Sequence, residues 1–138
     1  MKFMRLKNLG SPTSWDGSDY FSYKLSIMSN LSPALQSMTS EERYHPGDSL
    51  SFWNSSLTEA GFEGNELRLT FLSYSQERIF DFRYFGVRRV KSDYQDLRAR
   101  PSMAIQELCL LRGVDLFRHA IASPFGKYLI VYCSSMDF

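Results

Sequence analysis

In separate runs between Leu50 and Cys133, apolar residues recur at every second position. That period restricts the chain to strands with one buried face. Leu67, Leu69 and Phe71 alternate with Arg68 and Thr70, and Phe80, Phe82 and Tyr84 alternate with Asp81 and Arg83. The run Leu57 to Phe62 reaches the first of these through Glu63-Gly64-Asn65, a short turn of hairpin type. After the polar break Ser73 to Glu77, the aromatic strand runs to an expected end near Gly86. Met103 to Leu111, Val114 to Ala122 and Tyr128 to Cys133 are then joined by Arg112-Gly113 and Ser123-Pro124-Phe125-Gly126. Connections this short favour antiparallel neighbours, because a parallel crossover needs a dozen or more residues. The meander closes in a hairpin from Leu116 to Cys133.

The first part of the chain reads differently. Gly10-Ser11-Pro12-Thr13-Ser14 is a loop by its turn residues. Phe21, Tyr23, Leu25 and Ile27 alternate with Ser22, Lys24 and Ser26, which predicts a half-buried strand. Ser32-Pro33 predicts a helix start with proline at the first helical position. Thr39 and Glu42 predict a second start of capping-box type, ended by Pro46-Gly47. The expected fold is one α+β domain over residues 1–138, predominantly antiparallel β. It has a meander-rich sheet of six to seven strands over 48–138, one or two short helices near 32–44, and a strand and helix within 1–47.

Composition narrows the function classes. A chain of 138 residues that is 43% apolar can bury a core without metals or staples. A net charge of +1 supplies no long-range field toward nucleic acid or an anionic membrane, so neither is an expected partner. No stretch is long and apolar enough to span a bilayer, and no apolar run follows the basic start, so a cytoplasmic protein is expected. Cys109 and Cys133 lie inside apolar runs and read as reduced, buried thiols.

Metal and nucleotide chemistry find no footing. His45 and His119 stand apart from paired cysteines or close carboxylates, so no metal site is expected. Gly126-Lys127 lacks the upstream glycine of a phosphate loop, and no cofactor is expected. Glu107 and His119 fall on adjacent strands, where a cross-strand contact would make a general acid–base pair. The same pair also reads as structural, with His119 stitching the sheet through a hydrogen bond. The charged segment Arg88 to Ser102 reads as a long loop or a loop with one helical turn. It carries Arg88, Arg89, Lys91, Arg98 and Arg100 beside Tyr94 and among Asp93 and Asp96, which suits a solvated loop ahead of a nucleic-acid contact, with a protein contact as a third reading. Phe80, Phe82 and Tyr84 read as core.

Leu50-Ser51-Phe52-Trp53-Asn54-Ser55-Ser56-Leu57, with Gly64-Asn65-Glu66-Leu67-Arg68-Leu69 and Tyr84-Phe85-Gly86-Val87, carries a family resemblance. With Glu107 and the run Phe117-Arg118-His119-Ala120 before a glycine-containing hairpin, it resembles a loose group of small bacterial domains that includes immunity proteins. Such proteins neutralise a toxin made by the same or a rival bacterium. The resemblance spans 50–138; Asn54 stands where an acid is usual, and 1–47 has no counterpart. It implies a non-enzymatic protein that binds a cognate toxin domain and blocks its active site or a partner surface. The expected contacts are Trp53, Arg88, Arg89, Tyr94 and Arg98. The alternative is a small enzyme or nucleic-acid-processing domain using Glu107 and His119.

Overall fold

A computed structural model describes residues 1–6, 15–45, 47–97, 101–103 and 105–138. Two short strands, β1 (Arg5–Leu6) and β2 (Trp15–Asp16), pair antiparallel. Helix α1 (Ser18–Ile27) continues into a 3-10 turn at Met28–Asn30, and α2 (Pro33–Met38) precedes another at Glu41–Tyr44. The rest is β: β3 (Ser55–Glu63), β4 (Glu66–Leu72), β5 (Ile79–Ser92), β6 (Ser102–Met103), β7 (Ile105–Leu111), β8 (Leu116–Ala122) and β9 (Tyr128–Asp137). These form a seven-stranded antiparallel sheet in the order β6-β3-β4-β5-β9-β8-β7. The α+β, mostly antiparallel architecture follows the expectation.

The two ends of that order are consecutive in the chain. β6 pairs with β3 and β7 pairs with β8, so the sheet must curl until both edges reach 102–111. The result is a curled half-barrel. Its concave face holds Leu57, Leu67, Leu69, Phe71, Phe80, Phe82, Tyr84, Leu108, Ile121, Leu129 and Val131, with Ile27, Leu35 and Met38 from the helical segment. Burying side chains of this size contributes about 1.5–3 kcal/mol each. At the β7–β8 end the outer face is covered too, by Met4 and Tyr20 against Ile105 and Ala122.

The expected strand at Phe21–Ile27 is a helix. Its buried residues are Tyr20, Lys24 and Ile27, a spacing of four and three that belongs to one helical stripe, whereas Leu25 is exposed. The period-two letters were coincident with that stripe, and tertiary contacts decide the matter. The Tyr20 hydroxyl accepts from Leu108 N (3.0 Å) and donates to Leu108 O (3.3 Å). Tyr23 does the same at Leu110, at 2.9 and 3.3 Å. Two tyrosines thus satisfy the outer edge of β7, which would otherwise offer free backbone groups. Lys24 buries its stem and donates to Thr39 O at 2.8 Å.

Ser32 caps α2 as its sequence predicts, accepting from Leu35 N with Pro33 at the first helical position. Thr39 does not open a second α-helix. It closes α2, its hydroxyl donating back to Leu35 O at 2.9 Å, and only a 3-10 turn follows. Of the expected Pro46-Gly47 stop, Pro46 lies outside the described residues, as does the Gly10–Ser14 loop.

The aromatic strand does not stop at Gly86. β5 continues to Ser92, so the start of the segment expected as a charged loop is strand. Gly86 takes φ +59°, and the ladder to β9 shifts register between Val87 and Arg89. A glycine at positive φ followed by a bulge lets one strand bend and go on. Cys109 and Cys133 are free, buried thiols on β7 and β9, with β8 between them. Burial pushes both up to about 12.

Candidate functional site

Glu107 and His119 do sit on neighbouring strands, but the register separates them. Glu107 is opposite Ala120, and His119 is opposite Leu108. Side chains alternate between faces, so Glu107 points to the outer face and His119 into the concave core. The expected cross-strand pair is therefore not formed.

Each is occupied on its own side. Glu107 is fully buried, and its carboxylate accepts from the backbone N–H groups of Lys2, Phe3 and Met4 at 2.8–2.9 Å. Arg118 Nη1 lies 3.6 Å from Glu107 Oε1. The acid pins the N-terminal segment over the outer face. On the other side, Tyr84 Oη lies 2.7 Å from His119 Nδ1, and His119 Nε2 lies 2.8 Å from Gln106 Oε1. Gln106 Nε2 donates to Met38 O and to the Tyr44 hydroxyl. Burial pushes His119 down to about 3, with Arg118 adding to the effect, so the imidazole is neutral near pH 7. Both groups are tied into structural bonds.

The exposed chemistry lies elsewhere, on the outer half of β5. β4 pairs with β5 only from Ile79 to Phe85, because β4 begins at Glu66, directly after the Gly64-Asn65 turn. Beyond Phe85, β5 keeps β9 as its neighbour on one side, Val87 opposite Cys133 and Ser92 opposite Leu129. On the other side the stretch Val87–Ser92 has no strand beside it among the described residues. Phe62, Gly64, Asn65, Gly86, Val87 and Arg88 line a notch where the β3–β4 hairpin stops and this open edge starts.

The open edge has two faces. Val90 is opposite the buried Val131 and shares the concave side, where it is half exposed. Phe62, in line with Leu67 and Tyr84, projects on that side at the hairpin tip and is 61% exposed. Arg89 and Lys91 are opposite Tyr132 and Ile130 and point outward. Arg88, Arg89 and Lys91 are all exposed and have no ion-pair partner among the described residues. A nearly neutral molecule thus carries a local basic edge.

The remaining expected contacts divide between two ends. Tyr94 lies just past the open edge, half-buried, with Lys127 Nζ 5.5 Å from its ring centroid. Burial raises its pKa, with a hydrogen bond from Ser123 opposing. Trp53 lines a different hollow with Asp48, Ser73, Tyr74 and Glu77 beside the β4–β5 turn. Ten residues of β5 separate that end from Arg89, roughly 30 Å of strand, so Trp53 is not part of the basic edge. Arg98 and Arg100 lie outside the described residues. Sequence reasoning missed Val90 and Phe62 as parts of this site; Gly86 inside an alternating run was the available sign of a bulge rather than an end.

Among the described residues no group of three or more His, Cys, Asp or Glu comes together as a metal site, and no helix is long and apolar enough to cross a membrane. Comparison with protein-family models, curated proteins and solved structures finds no match.

Proposed function

We propose that this chain is a non-enzymatic binding protein of immunity type, which neutralises a bacterial toxin domain by covering its active site or a partner surface. The observation that carries the reading is the open basic edge of β5. Among the described residues its exposed arginines and lysine have no ion-pair partner, and no strand bonds to its backbone on the side away from β9. Arginine beside apolar and aromatic side chains is a common anchor chemistry of protein interfaces. The motif resemblance over 50–138 supports a toxin domain as the partner. Glu107 and His119, the residues of the enzymatic alternative, are each buried on opposite faces and held by structural hydrogen bonds.

The test is direct. The chain is co-expressed with the product of the neighbouring gene, and co-purification and survival of the host are measured. Joint elution and protection support the reading. A neighbouring product that neither binds nor is neutralised overturns it.

A further inference from the structure

We propose that the Val87–Ser92 edge of β5 takes up an extended, acidic–apolar alternating segment of the partner protein as an added strand, in the lane that β4 leaves empty. This rests on the binding reading above and names the chemistry of the contact.

The backbone supplies the first half of the argument. An edge strand presents alternate N–H and C=O groups that no neighbour uses, and an extended peptide can complete the ladder. β4 runs beside β5 up to Phe85 and then turns away at Gly64-Asn65. An incoming strand laid against Val87–Ser92 would continue the same lane, beginning at the notch by Phe62 and Gly86. The edge is six residues long, enough for a strand of roughly 20 Å.

Side chains supply the second half. A strand added here would place its residues alternately on the two faces. On the concave side they meet Val90 and the exposed ring of Phe62, which suit apolar side chains. On the outer side they meet Arg89 and Lys91, with Arg88 at the bulge, and these suit carboxylates. Cross-strand pairs of opposite charge are favourable, and like charges opposed across the ladder are not. A segment of alternating Glu and Val fits both faces; one of alternating Lys and Val fits only one.

The probes are therefore synthetic seven-residue peptides added to the full chain: alternating Glu and Val, its scrambled isomer, alternating Lys and Val, and the Glu–Val peptide N-methylated at alternate amides. Amide NMR shifts and hydrogen exchange locate the contact. The expected result is binding of the Glu–Val peptide, weakened by salt, with shifts confined to Phe62 and 86–92 and new protection of the β5 amides not bonded to β9. Methylation on the ladder side abolishes it. Arg89→Glu with Lys91→Glu weakens it roughly tenfold or more while the melting temperature holds, since both residues are exposed. Equal binding of the scrambled or Lys–Val peptide overturns the proposal. So do shifts centred elsewhere, or an edge occupied by a second copy of the chain or by an oligonucleotide in preference to the Glu–Val peptide. The neighbouring gene product separates the two readings. If it binds wild type and the Arg89→Glu, Lys91→Glu variant equally, the edge is wrong and the immunity reading stands. If it binds neither while the peptide binds the edge, the edge stands and the immunity reading falls.

Discussion

Tyr84 and His119 meet in the centre of the half-barrel, the phenol oxygen 2.7 Å from Nδ1 on strands that β9 holds apart. The neighbouring amide fixes their roles. Only an N–H can face the Met38 carbonyl, so Gln106 Nε2 lies there and Oε1 is left to accept. His119 therefore carries its proton on Nε2, and Nδ1 accepts from Tyr84. The chain of bonds runs on through Gln106 to Tyr44, joining the sheet to the end of α2 and the turn after it. A satisfied buried network of this kind fixes one packing of sheet against helix.

The first prediction concerns pH. In the unfolded chain His119 takes up a proton near its ordinary value of 6.5, but in the folded core only near about 3. Between those values the unfolded state binds more protons, so this contribution is present above 6.5 and is lost as pH falls. The slope from one such group is at most about 1.4 kcal/mol per pH unit. Asp81, lowered by its bond to Arg68, contributes in the same direction, but only as pH falls through its lower range. Urea midpoints measured from about pH 7 to about pH 4.5 should decline for wild type and stay much flatter for His119→Gln. A wild-type profile as flat as the variant's would show that the imidazole is not held neutral.

The second prediction isolates the hydroxyl. Tyr84→Phe keeps the buried ring but leaves Nδ1 facing apolar surroundings without a donor. An unsatisfied buried acceptor costs about 1–3 kcal/mol. The loss should disappear largely when His119 is already replaced, and a double-mutant cycle on denaturant midpoints measures that coupling. Additive losses would mean that the two groups do not share a bond.

Glu107 supports a third. Glu107→Gln replaces an acceptor-only group with one whose NH2 must face either a backbone N–H or Arg118. Breaking a buried ion pair from one side costs about 3–5 kcal/mol. Hydrogen exchange should show Lys2, Phe3 and Met4 losing protection well before the β8–β9 amides do. Uniform loss across the sheet would instead make Glu107 a core residue with no specific hold on the N-terminal segment.

The strands of the half-barrel were legible because one-sided burial writes a period of two into β4 and the first part of β5, because β9 begins with a short apolar run, and because turns such as Gly64-Asn65 and Arg112-Gly113 separate them. Helix α1 was not. Phe21, Tyr23, Leu25 and Ile27 spell a strand, and only the docking of Tyr20 and Tyr23 on the β7 edge selects the helix. Arg88 and Arg89 are visible in the sequence as charge, but their local letters read as a loop. Their meaning depends on where β4 stops, which is a property of pairing rather than of local letters. Glu107 and His119 were placed on the right strands, yet a register that sets His119 opposite Leu108 sends the two to opposite faces.

Gly86 is where local sequence and site meet most closely, and it yields the last prediction. Its φ of +59° disfavours any residue with a Cβ, and a Cβ built there would collide with the Ser134 side chain. The left-handed conformation alone costs an L-residue about 1–2 kcal/mol. Gly86→Ala should therefore lose at least that much stability, with the collision adding to it. In a Ser134→Gly background the collision is gone, and only the conformational cost should remain. Gly86→Asn should fall between, since asparagine tolerates this region better than alanine. If Gly86→Ala were as stable as wild type, the bend at Gly86 would not need glycine. In that case some feature other than this bend would have to carry β5 beyond β4 and leave its basic edge open.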